Sequence, residues 1–310
     1  EKGKRQLWIL VDEKRTNNTC LLMGSAVIDH TQIENFNTFS PTSSCNYIFT
    51  NVAGMDVGGQ PIYQNRLFFL PCQEVPEAKK NVVYFSTDDI YTYHPFCDDF
   101  GPYNLSTLYH FCEDLRELMQ EYDQESIVYY TTGNKRQITN CAFLLASFLV
   151  MEFDMNADEA WEPFSKMEPS PFVGFRDATY GPADFTMSVA DCLRGLVKAR
   201  SVGFISFHDD SFYVEEYEHY DEPINGDLHV VVPGRFIAFK GPDDDLPAGR
   251  RWLDSNGVRR FHPKHYHDIF GDFHVRTVVR LNEKRYRREH FTSAGITVHD
   301  LYFDDCTVPP

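Results

Sequence analysis

The sequence predicts an α/β fold, because short apolar runs with strand-like residues alternate along the chain with segments of helical periodicity. NRLFFLPC at 65–72 and KNVVYFST at 80–87 are rich in β-branched and aromatic residues, which favour strands. They are followed by LSTLYHFCEDLRELMQEY at 105–122, whose apolar residues recur at helical spacing. Strands that alternate with helices in this way favour a parallel sheet.

Composition limits both the class of protein and its partners. The chain has 310 residues, 42% of them hydrophobic and 15% aromatic, which is enough to bury the cores of two ordinary domains. It carries 46 acidic against 29 basic residues, a formal net charge of −17. This charge argues against nucleic acid or an anionic membrane as a partner, and it favours basic peptides or a solvated acidic surface.

The cysteines and the apolar runs argue for a reducing environment and against a membrane span. The eight cysteines form no CxxC pair and no zinc-type cluster, so we expect reduced thiols in the cytoplasm or nucleus. The longest apolar run, around 142–151, is too short to cross a bilayer, and no signal peptide is recognised. Because the chain begins with Glu1, we expect it to be a piece of a longer protein.

The first 65 residues match no pattern that indicates a function. QLWILVD at 6–12 and CLLMGSAVID at 20–29 are predicted strands around a polar turn. The Asn-, Thr- and Ser-rich stretch after them is predicted to be loop.

A strand, a loop and a helix are predicted in turn at SIVYYTTGNKRQITNCAFLLASFLVMEF, residues 126–153. Gly133, Lys135 and Arg136 lie in the loop, between a buried strand at 127–131 and a long apolar helix. Glycine and basic residues before a helix N-terminus can hold a phosphate group. The alternative, which the pattern favours, is a plain turn with two solvated basic side chains.

The remaining elements suggest a second set of strands. Residues 157–199 are predicted to be helical in pieces broken at Pro163, Pro169, Pro171 and Gly181, with an amphipathic helix at 186–200. The following predictions are a hairpin at 228–241, a surface loop at 242–247, helices at 262–273 and 288–295, and strands at 275–282 and 296–305. These strands leave a parallel sheet unfinished, so we expect another segment or another chain to complete it beside 275–282 and 296–303.

Two polar groups suggest possible binding sites. The predicted helix EEYEHYDE at 215–222 is crowded with carboxylates, and such a face meets either solvent or a cation. His262, His265, His267 and His274 have a spacing that can bind zinc. A surface helix is the preferred interpretation of the histidines, because a metal site needs convergent ligands with supporting hydrogen bonds.

Five blocks carry a resemblance to a known family. They are DFGPYNLSTLYHFC (99–112), FRDATYG (175–181), DCLRGLVKA (191–199), EEYEHYDEPINGDLHVVVPGRFIAFKGP (215–242) and VRTVVRLNEKRY with FTSAGITVHDLYFDD (within 275–305). In this order they resemble the cell-division-cycle fourteen dual-specificity phosphatases, over roughly residues 66–310. The resemblance implies two tandem cysteine-phosphatase-like domains joined by a linker helix. It places a degenerate, non-catalytic domain at 66–207, an acidic linker helix at 208–223, and the N-terminal part of a catalytic-type domain at 224–310.

The resemblance also implies where chemistry is and is not expected. Thr131 and Thr132 stand where an active phosphatase has its nucleophilic cysteine, so the first domain is expected to be silent. In the second domain the general acid falls on Asp305, with Cys306 where the family has glycine and Asp304 as a neighbouring carboxylate. The family's HCxxGxxR loop lies downstream of this point and does not occur in the 310 residues. We therefore expect this chain to be inactive as it stands, with no cofactor.

Substrate recognition is implied for the acidic helix. Family members prefer phosphoserine followed by proline and a nearby Lys or Arg, and the matching carboxylates here are Glu218 and Asp221. They lie three residues apart, so they share a helix face. The expected partners are phosphoproteins with such sites, and the alternative is a solvated charged face.

Two functions follow from these observations. In the first, the parent protein is an active dual-specificity phosphatase. In the second, it is a catalytically inactive pseudophosphatase that acts as a scaffold or structural subunit of a larger assembly on the cytoskeleton, centrosome or cilium. The intact region of the general acid and the acidic helix support the first function, whereas the substitution at Cys306 and the unmatched N-terminal segment support the second.

Overall fold

The computed structural model describes residues 6–11, 57–209, 212–255 and 258–304. The chain divides into two units, which we call the continuous unit (Phe36–Ser211) and the split unit (Glu1–Asn35 with Phe212–Pro310). Strand β1 (Gln6–Val11), which matches the predicted strand at 6–12, belongs to the split unit. The predicted strand at 20–29 and the loop after it lie outside the described residues.

The continuous unit contains a four-stranded sheet with the order β2-β3-β5-β4. These strands are β2 (Gln60–Tyr63), β3 (Leu67–Pro71), β4 (Val82–Phe85) and β5 (Ser126–Thr131). β5 runs parallel to β3 and β4, whereas β2 pairs antiparallel with β3. All of β4 and all of β5 after its first residue are buried, as expected for parallel strands that are covered on both faces.

Four helices accompany this sheet: α1 (Leu105–Glu121), α2 (Lys135–Phe153), α3 (Ala157–Ser165) and α4 (Val189–Ser201). Short polar side chains begin them, since Asn104 accepts from the amide of Thr107 at 2.9 Å and Asn156 forms a capping box with Glu159. α2 is buried continuously from Thr139 to Met151. The long apolar helix predicted after the strand at 127–131 is therefore confirmed.

The predicted helical pieces at 157–199 differ from the structure in two details. α3 runs through Pro163, because a proline in the last turn removes one intrahelical hydrogen bond without having to end the helix at once. The amphipathic helix predicted from residue 186 begins only at Val189, after its cap Ser188. Thr186–Met187 instead forms strand β7, which pairs with β6 (Phe175–Arg176).

The split unit contains a five-stranded sheet with the order β13-β12-β1-β9-β8 and a separate hairpin of β10 and β11. The strands are β8 (Leu228–Val232), β9 (Phe236–Lys240), β10 (Trp252–Ser255), β11 (Val258–Phe261), β12 (Val275–Arg280) and β13 (Thr297–Asp300). β8 and β9 form the hairpin predicted at 228–241. The β10–β11 hairpin is not among the predicted elements, because its residues are mostly polar or charged and lack a clear strand pattern.

Three short helices complete the described part of the split unit: α5 (Val214–Asp221), α6 (Tyr266–Asp272), which follows a 3-10 turn at Pro263–His265, and α7 (Glu289–Thr292). Aromatic rings form much of its core, in which the ring centroid of Phe239 lies 4.8 Å from that of Tyr266 and 5.1 Å from that of Phe270. These three side chains are almost completely buried. No helix in the described ranges is long and apolar enough to cross a membrane.

The N-terminal strand β1 completes the sheet of the split unit. It pairs antiparallel with β12, where Trp8 lies opposite Val279, and antiparallel with β9, where Trp8 lies opposite Ala238. The prediction that another segment closes the sheet is thus confirmed beside 275–282 but not beside 296–303, because β13 lies at the edge of the described sheet. The sheet of the described strands is also mixed and not purely parallel, because β12 and β13 are parallel whereas its three other strand pairs are antiparallel.

The two sheets share a plan around their central strand. In the continuous unit, β5 lies between the parallel strands β3 and β4. In the split unit, β9 and β12 are both antiparallel to β1, so they run parallel to each other on either side of it. β1 therefore lies between two strands that are parallel to each other, as β5 does. It runs antiparallel to both neighbours, whereas β5 runs parallel to both of its own.

Candidate functional site

The candidate anion site is the turn after β5 together with the first residues of α2, which we call the β5–α2 loop (132–137). Lys135 and Arg136, which were predicted to lie in a loop, begin the helix α2. Asn134 caps α2, and its side-chain oxygen accepts from the amides of Arg136 at 2.9 Å and Gln137 at 3.2 Å. The amide of Gly133 donates to the hydroxyl oxygen of Thr131 at 3.2 Å. These amides, which could have faced a phosphate group, are therefore satisfied within the loop.

The carboxylate of Asp88 lies against the same loop. Its Oδ2 accepts from the amide of Thr132 at 2.8 Å and from the Thr132 hydroxyl at 3.2 Å. Its Oδ1 accepts from the hydroxyl of Thr131 at 2.7 Å and from the side-chain amide of Gln137 at 3.0 Å. The loop thus holds an oxyanion, and that oxyanion belongs to the chain itself.

Asp88 was not among the residues that the sequence indicated, although a signal for it exists. It lies three residues after the end of β4, and β4 is hydrogen-bonded to β5 in parallel. The carboxyl ends of neighbouring parallel strands meet at one edge of a sheet. An acidic residue shortly after β4 is therefore expected to lie beside the loop that follows β5.

The two basic residues of the loop behave differently from each other. Lys135 is exposed, as the plain-turn interpretation predicts. Arg136 forms a bidentate ion pair with Asp98, at 2.8 and 2.9 Å, and its guanidinium lies 5.3 Å from the centre of the Phe100 ring. Arg136 is thus engaged by a carboxylate of its own unit.

Asp98 also connects this loop to the block FRDATYG. Arg176 contacts the Asp98 carboxylate and donates to the carbonyl oxygens of Thr179 and Gly181. The hydrogen bond from Arg136 and the charges of both arginines lower the pKa of Asp98. The block therefore anchors the turn at 179–181 to the segment before α1.

Two described thiols near the β5–α2 loop, those of Cys72 and Cys141, are not set up as nucleophiles. Burial raises the pKa of Cys141 on α2 to about 12, and burial together with the charge of Asp88 raises the pKa of Cys72. Both thiols stay protonated at neutral pH, whereas the thiolate is the reactive form. Thr131 and Thr132 occupy the strand end instead, as the resemblance implies.

The acidic helix α5 carries the two carboxylates expected to recognise a basic residue. Glu218 is exposed and Asp221 is half-buried. Oδ1 of Asp221 lies 3.2 Å from Nε2 of His229 on β8, a contact that is ionic when the imidazole is protonated. The structure thus adds His229 to this group, which sequence spacing did not indicate because His229 lies on a different element.

The candidate general acid Asp305 and the neighbouring Cys306 lie outside the described residues. The segment that leads to them is held to β12: the amide of Leu301 donates to the carbonyl oxygen of Arg280 at 2.9 Å. The adjacent Asp304 accepts from the hydroxyl of Tyr302 at 2.7 Å. Asp304 is therefore engaged locally.

The histidine group is distributed around α6. The ring of His265 stacks on Phe261 at 4.3 Å, and Nε2 of His267 lies 2.8 Å from the carbonyl oxygen of His290. Nδ1 of His262 accepts from the amide of Lys264 at 3.1 Å. In the described ranges, no three His, Cys, Asp or Glu side chains converge as a metal site. Of the four predicted histidines only His274 is exposed, so most of the group packs against the protein instead of forming a solvent-facing surface.

Comparisons with known proteins agree with the resemblance. The family profile described as "Dual specificity protein phosphatase, N-terminal half" matches residues 61–199. The chain is 35% identical to "Dual specificity protein phosphatase CDC14A" of Mus musculus over 259 residues, which is 83% of this chain and 42% of that protein.

Proteins of two other organisms are similar to the chain as well. The chain is 35% identical to the human "Dual specificity protein phosphatase CDC14C", covering 79% of this chain and 53% of that protein. It is 32% identical to "Tyrosine-protein phosphatase CDC14" of Saccharomyces cerevisiae, covering 79% of this chain and 44% of that protein. The chain spans about half, or less, of the length of these curated relatives.

Proposed function

Since this chain belongs to the CDC14 family of dual-specificity protein phosphatases, we propose that it is part of a protein that removes phosphoryl groups from phosphoserine, phosphothreonine and phosphotyrosine. The observation that supports this proposal is the extent of the likeness, which is longer than either of the two units. A likeness that extended over the continuous unit alone would have supported only a domain-level relationship.

The proposed organisation has two phosphatase-like domains in tandem. Residues 66–207 are the degenerate domain, 208–223 are the linker, and 224–310 are the N-terminal part of the catalytic-type domain. The predicted linker helix is shorter than expected, since only Val214–Asp221 is helical in the described part of 208–223. The occupied β5–α2 loop supports a non-catalytic role for the first domain, since its donors already bind Asp88 and Asn134. The common arrangement of β5 and β1 between two parallel strands supports two domains of related plan.

The proposed chemistry uses a cysteine and an aspartate. A thiolate on an HCxxGxxR loop, which these 310 residues do not contain, attacks phosphorus, and the P–O bond to the substrate breaks. The leaving oxygen takes a proton from Asp305. Water then attacks the cysteinyl phosphate and gives a proton back to Asp305, which releases inorganic phosphate and restores the thiolate. No cofactor enters these steps.

The proposed substrates are phosphoproteins with a phosphoserine–proline sequence and a nearby Lys or Arg. Glu218 and Asp221 lie on α5 with Asp221 beside His229. Because Glu218 is exposed, these carboxylates would contribute mainly steering and selectivity.

A non-catalytic scaffold, within a larger assembly, is the second candidate. The observation that favours it is the position of β1 between β9 and β12. In the continuous unit the corresponding position, between β3 and β4, is occupied by β5, the strand that leads into the β5–α2 loop. A sheet completed in this way needs no further strand at that place. The two candidates differ in whether the full-length protein turns over a phosphopeptide.

The deciding experiment is a kinetic assay of the full-length protein on a phosphoserine–proline peptide that carries a nearby lysine. We expect hydrolysis by the wild type and a loss in kcat of about 10²- to 10⁴-fold for Asp305→Asn, because proton transfer to the leaving oxygen is lost. Asp304→Asn is the matched control and is expected to retain most of the activity. An inactive full-length protein, or a reading frame without HCxxGxxR, would favour the scaffold.

A further inference from the structure

The carboxylate of Asp88 lies where the β5–α2 loop would otherwise face an incoming anion. Each of its two oxygens accepts two hydrogen bonds, from one backbone amide, two hydroxyls and one side-chain amide. These donors come from Thr131, Thr132 and Gln137, which lie on β5, the loop and α2. The arrangement resembles the way a loop before a helix N-terminus surrounds a bound oxyanion.

Several other donors of the loop are engaged as well. Asn134 receives the amides of Arg136 and Gln137, and the amide of Gly133 reaches the Thr131 hydroxyl. The guanidinium of Arg136 is held by Asp98. An incoming phosphate group would meet a fixed negative charge and donors that already have acceptors, so its binding there is disfavoured.

Gly133 is part of the same arrangement. A Cβ at this position would clash with the side chain of Gln137, which donates to Asp88. The glycine therefore allows the Gln137 amide to reach the carboxylate. In this loop the missing side chain of Gly133 makes room for the Gln137 side chain. In a phosphate site, a glycine makes room for the ligand instead.

We propose that the β5–α2 loop is an oxyanion cradle that the chain's own Asp88 carboxylate keeps filled, and that the continuous unit is closed to phosphate for this reason. Asp88 then has two effects. It holds β4, β5 and α2 together, and it excludes phosphorylated ligands from the loop. This proposal concerns the continuous unit alone and does not depend on the proposed activity of the full-length protein.

The test compares three forms of the 310-residue chain: the wild type, Asp88→Ala, and Asp89→Ala as a matched control whose side chain is exposed. Thermal unfolding midpoints are measured while phosphate or sulfate replaces chloride at constant ionic strength. We expect the wild type and Asp89→Ala to show no saturable response to either anion. Asp88→Ala should unfold several degrees lower in chloride and should regain stability in a saturable way with phosphate and with sulfate.

Two results would overturn the proposal: a saturable phosphate response in the wild type, or an Asp88→Ala variant that is as stable as Asp89→Ala and insensitive to both anions. If Asp88→Ala does not fold, Asp88→Asn carries the test by hydrogen exchange. Its uncharged amide should weaken the bond to the Thr132 amide, so that the exchange of this amide is accelerated about tenfold or more relative to Asp89→Asn. Equal exchange in the two variants would contradict the proposal.

Discussion

The buried guanidinium of Arg280 on β12 forms an ion pair with the partly exposed carboxylate of Asp300 on β13, its neighbour in a parallel ladder of the split unit. They are register partners, and Nε of Arg280 donates to Oδ1 of Asp300 at 2.7 Å. The guanidinium also donates to the carbonyl oxygen of Tyr286 at 2.7 Å and lies 4.5 Å from the centre of the Tyr286 ring. Because only 3% of the Arg280 side chain is exposed, these partners must offset the free-energy cost of burying its charge.

We first predict that Asp300→Asn destabilises the chain. The change leaves the buried guanidinium without its counter-charge, which we expect to cost about 1–3 kcal/mol, since Asp300 is itself partly exposed. The measurement is the free energy of unfolding in urea. Asp268→Asn is the control, because it removes a carboxylate from an exposed pair with Arg251 and should change little. Equal effects of the two substitutions would show that the burial of the Arg280 guanidinium adds nothing to the cost of losing its partner.

The second prediction concerns pH. Burial would by itself raise the pKa of Asp99, but hydrogen bonds from the Cys97 amide, the Tyr93 hydroxyl and the Phe96 amide lower it below the usual value. A lowered folded-state pKa stabilises the protein above the unfolded pKa of about 4, and this stability is lost as the pH falls through the folded value.

Asp99→Asn should therefore unfold at a lower temperature than the wild type at pH 7, and the difference should shrink as the pH falls below about 4. Thermal unfolding between neutral and acid pH measures it. Asp89→Asn, at an exposed position, is expected to follow the wild type throughout. A difference for Asp99→Asn that stays constant with pH would argue against this source of stability.

Third, deletion of residues 1–12 should destabilise the split unit. The deletion removes β1, which pairs with both β9 and β12, and so leaves each of these strands with an unpaired edge. Unpaired strand edges favour unfolding or association between chains. We expect a lower unfolding midpoint and concentration-dependent oligomers in sedimentation. Deletion of residues 1–5 keeps the strand and serves as the control. A shortened chain that remained monomeric and equally stable would show that β1 contributes little to the sheet.

Fourth, if the full-length protein has the proposed activity, the acidic helix should give it a preference for substrates with basic residues. Replacing Glu218 and Asp221 together by Gln and Asn should reduce the ratio of kcat/KM for a peptide with lysine over one with alanine by about fivefold, a modest effect that salt weakens. Glu216→Gln, on another side of the same helix, is the matched control. An unchanged ratio would favour the solvated charged face.

Much of the continuous unit could be predicted from local sequence. The strands at β3, β4 and β5 are short runs of apolar residues, and their burial on both faces follows from that composition. The helix after β5 follows from its continuous apolar residues and from Asn134 as its cap. The family resemblance implies, from Thr131 and Thr132 at the strand end, that this unit lacks a nucleophile.

Other features depend on residues that are far apart in the chain. Asp88 precedes Thr132 by 44 residues, and β1 lies more than 220 residues before its partners in β9 and β12. The contact of Asp88 depends on which strand ends meet at one edge of a sheet, and the pairing of β1 depends on which strand edges remain open. No local sequence pattern contains this information. Local propensity therefore accounts for the elements, and the family resemblance implies the missing nucleophile at the end of β5. The carboxylate that fills the loop follows instead from the packing of β4 beside β5, which only the tertiary structure decides.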